Sequence, residues 1–124
     1  MDRNLVGWFE IPVIDMERAI KFYNTIFDIT VTKIDAGGLE MASFPIVEGG
    51  YGAGGALVKQ PDFYSPSDKG ILIYFATEDI PKVLKIVAAS GGKVLQEKKQ
   101  ITPNTYMGLF LDSESNRIAL HCRD

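Results

Sequence analysis

At 124 residues and 13.7 kDa the chain has room for one domain and little for a second. Hydrophobic residues at 46% against 23% charged exclude a disordered chain, and no apolar run approaches the roughly 20 residues that span a membrane. A net charge of −3 argues against nucleic acid or an anionic membrane surface as partner, and a single histidine and a single cysteine leave no intrachain disulfide and too few donors for a zinc cluster.

The first expected element is a strand within the apolar, β-leaning run 5–13. Asp15 then reads as an N-cap, Glu17 suits the positive helix N-terminus, and Met16, Ala19, Ile20, Tyr23 and Phe27 recur at helical spacing. Alternating runs at 29–34, 39–44 and 55–58 predict three strands, separated by Ala36-Gly37-Gly38 and by a loop over 47–54. A connecting loop follows at 62–69, with the sequence DFYSPSDK. The pattern then repeats. A strand is expected at 71–77, Asp79 caps a second helix with Pro81 in its first turn, and Ile80, Val83, Leu84 and Val87 form the apolar stripe. Gly91 stops that helix, and strands are expected at 93–97, 105–111 and 117–122. Glu97-Lys98-Lys99 reads as a solvated strand end and Cys122 as a small buried hydrophobe. The doubled order β-α-β-β-β implies two similar units that share a core, since neither can bury its sheet alone.

One motif fails on context. Gly50-Tyr51-Gly52-Ala53-Gly54-Gly55 spells GxGxxG, but a strand follows it where a dinucleotide fingerprint needs a helix. It reads as a mobile rim, with Tyr51, Phe63 and Tyr64 as lid residues. The chain opens without a charged-then-apolar leader, so the expected compartment is the cytoplasm.

The segments VGWFEIPVIDMERAIKFYNTIF, GALVKQ, ILIYF with the EDI that follows, and YMGLFLDSESNRIALHC together resemble the glyoxalase, bleomycin-resistance and extradiol-dioxygenase (vicinal oxygen chelate) superfamily. The resemblance covers essentially the whole chain. It implies an α+β fold of two tandem βαβββ modules, about 1–62 and 63–124, that form an incomplete barrel around a small-molecule cavity in a homodimer. It also implies positions for the His and Glu ligands of a divalent metal. Here those positions hold Trp8, Leu72 and Ala119, and residues 51–61 contain no His, Asp, Glu or Cys. Indole, isobutyl and methyl groups offer no lone pair to such an ion, so no metal or other cofactor is expected.

Strand alternation indicates what stands in its place. If Trp8 faces the cavity, so does Glu10, while Phe9 and Ile11 face the helices. The same count puts Ala119 and His121 on the cavity side, joined by Leu72, Tyr74 and Ala76. Glu10 and His121 are the candidate catalytic groups; Trp8, Leu72, Tyr74, Ala119 and Tyr51 are the candidate ligand contacts. Two functions remain open. One is binding or sequestration of a small ligand, as in the bleomycin-resistance branch. The other is a metal-independent lyase or isomerase step with Glu10 as general acid or base.

Overall fold

The computed structural model describes residues 2–123. Its first half contains β1 (Trp8–Pro12), α1 (Met16–Phe27), β2 (Thr32–Ala36), β3 (Leu39–Ser43) and β4 (Gly54–Lys59). The second half repeats the order with β5 (Ile73–Ala76), α2 (Ile80–Ala89), β6 (Lys93–Thr102), β7 (Thr105–Leu111) and β8 (Arg117–Arg123). Two four-stranded sheets result, ordered β1-β4-β3-β2 and β5-β8-β7-β6, with no closed barrel. In each, the first strand pairs in parallel with the last, and the other pairs are antiparallel.

Both helices begin where their caps predict. The Asp15 carboxylate accepts the Arg18 N–H and that of Asp79 accepts the Lys82 N–H, each at 3.1 Å. Gly91, at φ +96°, ends the second helix as only a residue tolerant of the left-handed region can. The strand expected at 29–34 instead occupies Thr32–Ala36. The cause is the end of α1: Asp28 turns left-handed at φ 52°, and Asn24 holds the Ile29 N–H through its carbonyl and the Val31 N–H through its side chain. The chain therefore stays tied to the helix up to Val31. Strand β6 runs on to Thr102, beyond the expected 97, because its hairpin with β7 continues through three register shifts. Lys98 is accordingly mid-strand, with its ammonium 4.5 Å from the centre of the Tyr106 ring.

The core shows why the stripe of α1 is wider than its spacing suggested. Phe22 and Ile26 are buried along with Met16, Ala19 and Tyr23, whereas Ile20 and Phe27 are only partly covered. Phe22 packs on Phe110 of the second sheet at 6.1 Å while Tyr23 meets Phe44 of the first module at 5.3 Å. A helix that contacts both modules needs a broader apolar face than one lying on a single sheet. The inward faces of the two sheets join it in one continuous cluster, Phe9, Ile11, Ala42 and Leu57 from the first and Phe75, Ile118, Leu120 and Cys122 from the second.

The β7–β8 turn locks the modules together. Asp112 accepts the Tyr23 hydroxyl at 2.6 Å, the Asn116 amide at 3.0 Å and the backbone N–H groups of Glu114 and Asn116 at 2.9 Å. Asn116 also donates to the Pro12 carbonyl and accepts from the Ser67 N–H. The Glu114 carboxylate accepts the N–H groups of Ile14 and Asp15 and the guanidinium of Arg18, the last at 2.7 Å. One turn therefore fixes the exit of β1, the start of α1 and the connecting loop.

Gly92, which links α2 to β6, is sterically confined. A Cβ there would lie 2.6 Å from the Leu111 carbonyl oxygen and 2.7 Å from Val87 Cγ1. Neither neighbour is the loose end of a flexible chain. Gly92→Ala is expected to cost about 1–3 kcal/mol in urea denaturation, as overpacking does, whereas Gly7→Ala, which meets nothing within 4 Å, should be neutral. Equal midpoints for the two variants would contradict this packing.

Candidate functional site

With Phe9, Ile11, Ala42 and Leu57 in the core, alternation puts Trp8, Glu10, Met41, Ala56 and Val58 on the opposite, outer face of the first sheet. Register places them side by side: Glu10 pairs with Ala56, Met41 with Val58 and Trp8 with Gly54. Met41, Ala56 and Val58 form a small apolar floor of their own, with Leu39 and Tyr64 packed against it. Both oxygens of Glu10 are engaged at its edge. Oε1 accepts the Tyr64 hydroxyl at 2.7 Å, and Oε2 lies 3.4 Å from the Trp8 indole nitrogen. The bond to Glu10 raises the pKa of the Tyr64 phenol, keeping it a neutral donor.

The outer face of the second sheet carries the other sequence-predicted residues. Tyr74 pairs with Ala119, and His121 with Ala76. The His121 ring meets Tyr74 edge-on at 5.8 Å, and Ala119 has no exposed surface at all. Leu72 lies just before β5 rather than within it.

An open cleft of about 1520 Å³ lies beside the edge strands β1 and β5. Phe9, Phe44 and Phe75 form part of its floor, with ring centres 5.5–5.6 Å apart. Leu72, Tyr74, His121 and Tyr51 line it, and Trp8 and Glu10 do not. The proposed residues thus fall into two groups. Trp8 and Glu10 sit with Tyr64 on the first sheet, while Leu72, Tyr74 and His121 sit around β5. Among the described residues no hydrogen bond, ion pair or ring contact joins Glu10 to His121.

Chemically, the first-sheet site presents an apolar floor, one exposed indole and a carboxylate that accepts hydrogen bonds. Among the described residues no group of three His, Cys, Asp or Glu side chains is placed to hold a metal ion. Residue spacing missed the role of Tyr64. It was expected to be a lid beside the glycine-rich rim, yet it packs on the sheet face and bonds Glu10 across 54 positions of sequence. The one available signal was an aromatic pair, Phe63-Tyr64, in an otherwise polar loop.

The family model for the Glyoxalase/Bleomycin resistance protein/Dioxygenase superfamily matches residues 5–120. Among solved structures, the chain is similar to a hypothetical protein, SA1046, from S. aureus, with a TM-score of 0.72 and 16% identity, covering 97% of this chain and 95% of that one. It is also similar to TnmS3, an antibiotic binding protein from Streptomyces sp. CB03234, with a TM-score of 0.68 and 23% identity over 100% of this chain and 99% of that one. A glyoxalase I mutant from Zea mays gives a TM-score of 0.69 and 20% identity, with 94% of this chain but only 45% of the maize chain covered. At these identities the likeness establishes the fold. No curated protein matches the sequence. Among the described residues no helix is long and apolar enough to cross a membrane.

Proposed function

Since the chain belongs to the glyoxalase/bleomycin resistance protein/dioxygenase superfamily, whose fold serves more than one function, we propose that it binds a small organic molecule without a metal and without turning it over. The observation that carries this reading is the Trp8–Glu10–Tyr64 arrangement. An indole stands at the position the resemblance gives to a metal ligand, and both oxygens of the adjacent carboxylate face donors within the chain. The fold of an antibiotic binding protein gives the reading a precedent.

The ligand lies on the outer face of the first sheet in a homodimer, covered by the partner. In a single chain Trp8, Ile34 and Tyr74 are 43%, 41% and 45% exposed on the outer sheet faces, apolar surface that a symmetric partner would cover. Sedimentation at micromolar concentration should report a dimer, and a monomer would remove this part of the proposal. Elemental analysis of protein purified without a chelating tag should find well below one equivalent of Zn, Ni, Fe or Mn.

The direct test is a screen of small aromatic and aliphatic compounds by the backbone and indole N–H resonances, since Trp8 is the sole tryptophan. Compounds that bind should move the Trp8 indole signal and raise the melting temperature with concentration. Glu10→Gln should then change affinity by about 1–3 kcal/mol, as loss of a charged acceptor does. If a compound is consumed instead, and Glu10→Gln slows its consumption by roughly 10²-fold or more while binding persists, the lyase or isomerase reading replaces this one.

A further inference from the structure

The first-sheet site is already filled, by the chain itself. The ring of Tyr64 packs on the floor of Met41, Ala56 and Val58, and its hydroxyl donates to Glu10 at 2.7 Å. The loop that carries it is pinned on both sides. Before it, the Gln60 carbonyl accepts the N–H groups of Phe63 and Tyr64, and after it Ser67 bonds Asn116 and the Arg117 N–H. Neighbouring Phe63 is 84% exposed. Tyr64 therefore sits as a tethered side chain in a site whose fixed parts belong to the sheet.

We propose that Tyr64 is an internal stand-in for the ligand. The site takes a hydroxyl-bearing aromatic ring whose O–H donates to Glu10, and that ring binds by displacing Tyr64. This rests on the binding function proposed above and names the ligand class for that site. The argument is one of complementarity already realised: a flat apolar floor, an indole beside it, and one acceptor at the distance a phenol needs. A carboxylate with both oxygens facing donors favours a ring that donates over one that only accepts. Because Tyr64 competes from within the chain, apparent affinity falls by the fraction of molecules in which the site is open. Its removal therefore strengthens binding, where removal of an ordinary contact residue weakens it.

The experiment compares 4-ethylphenol with its methyl ether, 4-ethylanisole, which has the same ring but no donor, by titration of the Trp8 indole N–H signal. Wild type should bind the phenol weakly. Tyr64→Ala should bind it roughly tenfold more tightly if the ring is docked nine-tenths of the time. The ether should bind Tyr64→Ala at least about tenfold more weakly than the phenol, the value of one hydrogen bond to a charged acceptor. Glu10→Leu in the Tyr64→Ala background should abolish that preference. Tyr64→Phe, which keeps the packing and loses only the bond to Glu10, should fall between wild type and Tyr64→Ala; it carries the test if the alanine variant does not fold. Equal phenol affinity in wild type and both variants overturns the proposal, as does a Tyr64→Ala protein that binds phenol and ether alike. If these probes fail while other compounds from the screen still move Trp8 in wild type, this inference falls and the binding function stands. If nothing moves Trp8 in any variant, both fall.

Discussion

Asp112→Ala is expected to cost about 3–5 kcal/mol of folding stability, the loss typical when one partner of a buried charged network is removed. Asp112 is 3% exposed and gathers four donors: the Tyr23 hydroxyl, the Asn116 amide and two backbone N–H groups. Burial raises its pKa against the pull of those bonds, a sign that desolvation is costly there and that the donors are what make the charge tolerable. Alanine removes the acceptor and leaves all four donors in a space that water reaches poorly, each unmade bond adding about 1–3 kcal/mol before relaxation. Asp112→Asn, which keeps an oxygen for the backbone donors, should lose distinctly less. Urea denaturation of the three proteins measures the order, and a loss below about 1 kcal/mol for Asp112→Ala would show that the turn does not hold the modules together.

What the sequence disclosed divides along the range of the interaction. Helix starts at Asp15 and Asp79 were legible because the cap bond reaches only three residues along the chain. Sheet faces were legible because alternation is local: Phe9 and Ile11 face the core while Trp8 and Glu10 face away. The start of β2 was not, because Asn24 reaches seven residues forward to hold Val31, and no spacing rule announces that bond. The wider stripe of α1 depended on its contact with Phe110, far along the chain. The neighbour of Glu10 was not legible either, since Tyr64 arrives by the path of the connecting loop. Asp112 and Asn116 lie in one of the segments that carry the family resemblance and form the structural joint between modules, with Glu114 between them bonded to Ile14, Asp15 and Arg18, 96–100 residues away.

That last residue sets the acid limb of stability. Five donors, two from the Arg18 guanidinium and one each from Ser113, Ile14 and Asp15, bond the Glu114 carboxylate. Burial alone would raise its pKa, but the Arg18 guanidinium and these bonds prevail and hold it at about 2, against an ordinary 4.5. A carboxyl whose folded pKa is depressed contributes stability above its unfolded pKa and loses it as pH falls through the folded one. Glu114 is therefore expected to contribute on the order of 2–3 kcal/mol at pH 7, fading between about pH 4.5 and pH 2. Asp112 has the opposite sign, because its raised pKa makes protonation easier in the folded state than in the unfolded one. Glu114→Gln should remove the first effect and leave the second. Its stability at pH 7 should lie about 2–3 kcal/mol below wild type, and the gap should close on acidification. Chemical denaturation at pH 7, 5, 4 and 3 reads the gap directly. A gap that keeps its pH 7 size at pH 3 would mean that Glu114 acts through shape and neutral hydrogen bonding, and that its charge does not join the β7–β8 turn to the first helix.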